Sequence, residues 1–305
     1  MLLIGDNLRM GSPLLETAVK NKDKRAIQEL AARQVEAGAG MLGIDLGPEK
    51  KKAPQFMEWL VDSVQEAADV PLALRSADPA AIEAGLRKAR QQALVNATSP
   101  AVTDVGAFVE MAARYGTKLS LTACAGGIPT STEARIVLIT ETLVPQAMGA
   151  GVPLKNLYID PFVTALTCDQ PQAPNTVSTL RLLKVAAEPV PNTLVHLRDI
   201  SDGASAGVQS LINRTYLVML MGAGLDAVVM DPFDAEAQAF VRIVKERDGR
   251  TSLSHLLLRL YDVTAAEAEL EAAAVDESDP RQVAVYKTVQ ILSNRVIYAN
   301  SYLGA

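Results

Sequence analysis

An aspartate stands inside an otherwise apolar run, Leu157-Tyr158-Ile159-Asp160-Pro161-Phe162-Val163. A carboxylate placed there costs several kcal/mol to bury unless a donor meets it. Polar residues also end other short apolar runs: Gly5-Asp6-Asn7 with Arg9 just beyond, then Asp45, Arg75, Asn96 and Arg198-Asp199. Two kinds of donor would satisfy Asp160. A small ligand rich in N–H groups would engage Asp160 and Asn96 together. Alternatively Arg75 supplies a fixed cation and the carboxylates are structural.

The elements that must position these residues alternate regularly. Strands are expected at about Leu2–Asn7, Met41–Gly47, Pro71–Ser76, Ala93–Ser99, Lys118–Cys124, Leu157–Val163, Asn192–Asp199 and Asp226–Asp231. Each is short and evenly apolar, as a strand buried on both faces should be. Between them, helical spacing runs through Asp23–Gly38, Ala53–Ala68, Asp78–Arg90, Thr103–Gly116 and Thr132–Gly149. Asp78-Pro79 has the form of an N-cap with proline at the first helical position, and Thr130-Ser131-Thr132-Glu133 the spacing of a capping box. Eight such units in 305 residues predict an α/β fold, one (β/α)8 TIM barrel over 1–305, whose active sites lie at the C-terminal ends of the strands. The polar residues above fall on that rim. The final run, Val283–Tyr302, is expected to be the eighth barrel helix, with a helical insertion at about 245–279 before it; the Ala/Glu-rich stretch Thr264–Asp276 is expected to be a solvated helix.

Several functions are excluded. A net charge of −6 leaves no basic stripe for nucleic acid or for an anionic membrane. Two cysteines, Cys124 and Cys168, and two histidines, His196 and His255, form no metal-ligand pattern. His196, inside a strand, fits a core histidine better than an acid–base group. The opening Met1-Leu2-Leu3-Ile4-Gly5-Asp6 has no basic n-region, and the best apolar run, Tyr216–Met230, is broken by two glycines and Asp226, so a cytoplasmic protein without a membrane span is expected. Nucleotide-binding fingerprints are missing after the first strand.

At the level of motifs the chain resembles the methyltetrahydrofolate:corrinoid/iron–sulfur protein methyltransferases. These belong to the pterin-binding barrels, which also include dihydropteroate synthase. The resemblance lies in Leu2-Leu3-Ile4-Gly5-Asp6, Gly47-Pro48, Met57-Glu58-Trp59-Leu60-Val61, Ala81-Ile82-Glu83-Ala84-Gly85-Leu86, Asn96, Gly127-Ile128-Pro129, Leu157-Tyr158-Ile159-Asp160-Pro161 and Leu211-Ile212-Asn213-Arg214-Thr215. It implies methyltetrahydrofolate or a related pterin as substrate, a partner protein carrying the cobalamin, and a homodimer. In such enzymes the N5 methyl group passes to Co(I), and N5 leaves only if protonated or strongly hydrogen-bonded in the transition state.

Carried over residue by residue, the resemblance keeps Asn96 and Asp160 as pterin-reading groups and changes others. Arg9 stands for a family asparagine, Gly43 and Asp45 for an aspartate and an asparagine, Arg75 for an aspartate, Asp199 for the asparagine beside N5, and Gly207 for an arginine. The candidate set is therefore Asp199 as the catalytic group, with Asn96, Asp160, Asp45, Arg75, Asn7, Arg9 and Ser201 binding substrate. Arg75 is donor-only and always charged, so it cannot accept from pterin N–H groups. Asp199 could donate to N5 only when protonated, a state that Arg198 or Arg75 nearby would oppose. Three readings follow: a methyltransferase with an adjusted pocket, a barrel that takes another, acceptor-rich or anionic ligand on Arg9 and Arg75, and a non-catalytic homologue in which Arg75 pairs with Asp160 or Asp45 and fills the site, leaving a role in docking a corrinoid protein or a structural one.

Overall fold

In a computed structural model, eight parallel strands close into a barrel in chain order, β1 pairing with both β2 and β8. The structure describes residues 1–47, 52–97, 105–124, 127, 129, 131–186 and 190–304. The strands are β1 (Leu2–Arg9), β2 (Met41–Asp45), β3 (Leu72–Arg75), β4 (Leu94–Ala97), β5 (Lys118–Thr122), β6 (Leu157–Asp160), β7 (Asn192–His196) and β8 (Ala227–Met230). The helices are α1 (Pro13–Asn21), α2 (Lys24–Glu36), α3 (Ala53–Gln65), α4 (Pro79–Lys88), α5 (Gly106–Tyr115), α6 (Thr132–Leu138), α7 (Val144–Gly149), α8 (Leu166–Asp169), α9 (Gln172–Ala186), α10 (Ala206–Gly222), α11 (Ala235–Glu246), α12 (Ser252–Ala265) and α13 (Pro280–Leu292).

The barrel interior explains where the polar residues go. A packed layer inside it comprises Ile4, Met41, Ala73, Leu94, Tyr158, Leu194, Ala227 and Val229. Side chains alternate between the two faces of a strand, so residues two positions further on point the same way, one step nearer the C-terminal mouth. That step gives Asp6, Gly43, Arg75, Asn96, Asp160 and His196. The outer faces pack Leu42, Ile44, Leu74, Val95, Leu119 and Ile159 against the helical ring, all buried.

Local chemistry sets the helix boundaries. The Asp78 side chain accepts from the Ala80 N–H at the start of α4, with Pro79 first in the helix. At α6 the cap is Ser131, which accepts from Ala134 N–H; Thr130, expected to fill that role, lies outside the described residues. The run Thr132–Gly149 is continuous but contains a π-helical stretch, Ile139–Leu143, just before Pro145. Proline offers no N–H to the helix and crowds the carbonyl four residues back, which is where such a bulge relieves the ladder.

The C-terminal region departs from expectation. The eighth place in the ring goes to α11, which follows β8 directly. It packs on α10, and Gln238 donates to the Ala37 carbonyl at the end of α2. The final run holds α13 instead, packed with α12 against α10. The solvated helix expected at Thr264–Asp276 does not form. Helix α12 ends at Ala265, Glu267 takes a left-handed φ of 57°, and Leu270 is buried. Arg181 holds Glu267 and Arg295 holds Glu269, so ion pairs, one apolar anchor and a short 3-10 turn at Ala272–Ala274 fix this segment in place of a continuous α-helix.

Candidate functional site

At the C-terminal mouth of the barrel a cavity of about 550 Å3, counting its open entrance, is lined by Ile4, Asp6, Arg9, Gly43, Ile44, Asp45, Ala73, Arg75, Asn96, His196, Arg198, Asp199 and Val229. The strand ends therefore bring together five residues of the expected set: Arg9, Asp45, Arg75, Asn96 and Asp199. Asp160 lies on the same interior face but does not line the cavity. Asn7 turns away to donate to Asp231 Oδ1 at 2.8 Å. Ser201 is buried and donates to the Arg198 carbonyl at 3.3 Å, closing a turn rather than facing the cavity.

Ion pairs occupy part of the rim. The Arg75 Nη1 to Asp45 Oδ2 distance is 2.9 Å, between directly registered positions on β2 and β3. The Asp45 Oδ1 accepts from the Gly47 N–H at 2.8 Å, which orients the carboxylate. Arg198 donates to Asp6 Oδ2 at 2.8 Å, while Asp6 Oδ1 is buried without a hydrogen-bond partner among the described residues. Burial raises the Asp6 carboxyl above the usual range against the pull of Arg198, and Asp231 adds to the rise. Gly43 keeps the floor low: a Cβ there would stand 3.1 Å from the Gly5 carbonyl.

His196 was expected as a core histidine; it is half-buried and lines the cavity. Its Nε2 lies 3.3 Å from Asn96 Nδ2. Burial, with the Arg75 charge, holds its pKa well below the usual value, so the ring is neutral. An amide N–H facing Nε2 places the ring proton on Nδ1.

The two remaining carboxyls are unusual. Asp160 Oδ1 accepts from the Phe162 N–H at 2.9 Å. Burial, reinforced by Asp199, pushes its pKa to about 7, although that hydrogen bond, Arg75 and Arg135 all pull the other way. Asp199 was expected at the end of β7, but the strand stops at His196 and Asp199 sits in a 3-10 turn, Leu197–Ser201. Its pKa is raised to about 6: desolvation outweighs Arg75, Asp202 raises it further, and Arg198 opposes. Asp199 is itself exposed at the mouth, and the rise comes from the protein mass around it, which outweighs the expected opposition of the arginines. Cys124 is inert by the same cause, its thiol pushed up to about 11 by burial and by Asp160.

Sequence reasoning placed Asp6 and Arg198 on the rim but left them out of the substrate-binding set, and it read His196 as a core residue. Asp6 and His196 carried a further signal, since each lies two positions beyond an interior apolar residue of its strand, Ile4 and Leu194.

No protein-family profile matches the chain. Over 235 residues it is 27% identical to the methylcorrinoid:tetrahydrofolate methyltransferase of Eubacterium limosum, covering 76% of this chain and 85% of that protein. The chain is a (β/α)8 barrel similar in sequence to that methyltransferase. Solved structures agree on the architecture. A dihydropteroate synthetase determined with a product superimposes with a TM-score of 0.62 at 16% identity, over 80% of this chain and 94% of that one. The Yersinia pestis dihydropteroate synthase in a sulfonamide complex gives 0.60 at 16%, over 81% and 94%. The Thermus thermophilus enzyme gives 0.55 at 19%, over 81% and 93%. At these identities they speak for the fold alone. In this barrel no helix among the described residues is long and apolar enough to cross a membrane; the apolar run Tyr216–Met230 is the buried end of α10 leading into β8.

Proposed function

We propose that this chain binds a reduced pterin at the mouth of its barrel and moves a methyl group between that pterin and a corrinoid carried by a partner protein. The relative's name has the methyl group run from methylcorrinoid to tetrahydrofolate, and the resemblance implies the reverse; the same groups serve both directions. A homodimer belongs to the same proposal. The observation that carries it is Asn96 and a protonatable Asp199 lining one cavity, with Asp160 buried on the same interior face behind it.

The residues present fit a pterin in part. An ionised Asp160 can accept from the 2-amino and N3 donors of a pterin ring, and a carboxyl titrating at about 7 is available in that form near neutral pH. Protonated Asp199 can donate to N5, and ionised Asp199 can take the proton back, as general acid–base assistance to a poor leaving group requires. The corrinoid would supply the cobalt centre that accepts or releases the methyl group. Arg75, held by Asp45, contributes a fixed positive charge instead of an acceptor.

A second reading has its own support. His196 engages Asn96, and Arg75 with Asp45 occupies a position where the family reads the ring with a carboxylate. Arg9, Arg75 and Arg198 also share the mouth, which suits a ligand richer in acceptors or negative charge.

Calorimetric titration with methyltetrahydrofolate, comparing the native protein with Arg75→Asp, separates the two. Native binding, followed by methylation of free cob(I)alamin seen in its visible spectrum, is the expected outcome. No native binding with affinity gained by Arg75→Asp would transfer the site to another ligand. No binding by either would end the pterin proposal.

A further inference from the structure

Arg135, on α6, is among the largest fully buried side chains of the described residues. A guanidinium cannot shed its charge, so burying it away from a carboxylate is expensive, and an apolar residue of similar volume would usually serve the core better. Among the described residues Arg135 has no ion-pair partner. Its Nη1 donates to Thr176 Oγ1 at 2.9 Å and its Nη2 to Gln172 Oε1 at 2.7 Å, both on α9, while Nε is left without a partner.

Thr176 passes the contact on. Its hydroxyl, accepting from Arg135, donates to the Phe162 carbonyl at 3.0 Å. Phe162 is a non-glycine residue at φ 68°, a left-handed conformation that an aromatic side chain adopts only when the surroundings impose it. That conformation points the Phe162 N–H at Asp160 Oδ1, 2.9 Å away. Arg135, Thr176, Phe162 and Asp160 thus form one hydrogen-bonded line from the helical ring to the interior of the barrel mouth.

We infer that Arg135 is a positioning residue for Asp160: through Thr176 it holds the strained Phe162 turn that presents an N–H to the carboxylate, and from behind it supplies the positive charge that favours the ionised form. The inference rests on reading Asp160 as the group that accepts from the ligand. The other charged and titratable groups acting on Asp160 are Arg75 from β3, Asp199 from the turn after β7 and the Cys124 thiol after β5. Arg75 lines the cavity, whereas Arg135 is seated on α9 in the helical ring, so of the two guanidiniums that act on the carboxylate only one is at the cavity. Gln172 is itself held in place, donating to Asp169 Oδ2 at 3.2 Å, so the Arg135 fork has a fixed seat.

The test uses the full chain labelled with 13C at aspartate side chains, titrated by NMR without ligand. Native Asp160 should titrate near neutrality. Arg135→Gln should raise its pKa by about one pH unit or more, from loss of both charge and turn. Thr176→Val, which keeps shape and charge but cuts the hydroxyl bridge, should raise it by less, and Thr176→Ser should restore the native value. Methyltetrahydrofolate affinity, measured between pH 6 and 8, should follow the Asp160 titration in each variant. An unmoved Asp160 in Thr176→Val would overturn the relay, even if Arg135→Gln failed to fold. Shifted Asp160 values in a protein that binds no pterin would uphold the relay and reject only the ligand.

Discussion

At the residue scale the decisive quantity is the protonation of Asp199. An amide in that place would donate a hydrogen bond at any pH, whereas a carboxyl titrating at about 6 donates only below that value. At saturating methyltetrahydrofolate, methyl transfer should therefore fall above pH 6, by roughly tenfold per pH unit if the protonated form is required. Asp199→Asn should flatten the profile and exceed the native rate at pH 8. A native rate that stays level from pH 6 to 8 would remove Asp199 from the acid role. The inward positions were legible because a strand's period of two is strict: Asp45, Arg75 and Asn96 could be placed on one rim from the sequence. Asn7 and Ser201 were misplaced where the period breaks. The β1–β2 register shifts between Gly5 and Leu8, turning Asn7 toward Asp231, and the 3-10 turn folds Ser201 back on Arg198. Neither irregularity leaves a mark in residue type.

At the scale of elements, the outer layer depends on close approach of α10 and α12. A Cβ at Gly222 would stand 2.6 Å from the Tyr261 carbonyl and 3.0 Å from Thr264 Cβ, both parts of α12 that cannot swing aside. Gly222→Ala should therefore cost about 1–3 kcal/mol, the usual penalty of overpacking, read as a lower urea midpoint. Protease cleavage between 247 and 279 should rise with it, because α12 loses its seat. Unchanged cleavage would mean that α12 is held elsewhere, for instance by Arg181, which donates to the Thr264 carbonyl at 2.7 Å. Eight strands and their order were readable because each short apolar run was bounded by caps and turn residues. The place of the eighth helix was not. Both α11 and the final run have helical spacing, and only the contacts of Gln238 with the end of α2 show which of them closes the ring.

At the scale of the whole molecule, groups at the mouth make folding stability depend on pH in opposite senses. Asp160 has a folded pKa of about 7 against 3.8 unfolded, and Asp199 about 6 against the same value. Between those limits the folded state binds more protons, so their contribution is complete below pH 4 and is lost as pH rises toward 7. His196 runs the other way. Its folded pKa is lowered below 6.5, so its contribution is present above 6.5 and is lost as pH falls. Below pH 6.5 the slopes partly cancel, and above it only the carboxyls act. Asp160→Asn keeps the hydrogen bond from Phe162 and removes the larger carboxyl slope. The variant should gain on the native protein by roughly 3 kcal/mol more at pH 8 than at pH 5, measured by urea unfolding at both values. Parallel stabilities at the two values would mean that Asp160 ionises freely when folded. In the native protein, a ligand that donates N–H groups to ionised Asp160 relieves the same penalty. Methyltetrahydrofolate should therefore raise the unfolding midpoint more at pH 8 than at pH 5, whereas a ligand held only by the arginines of the rim would leave the Asp160-dependent slope in place.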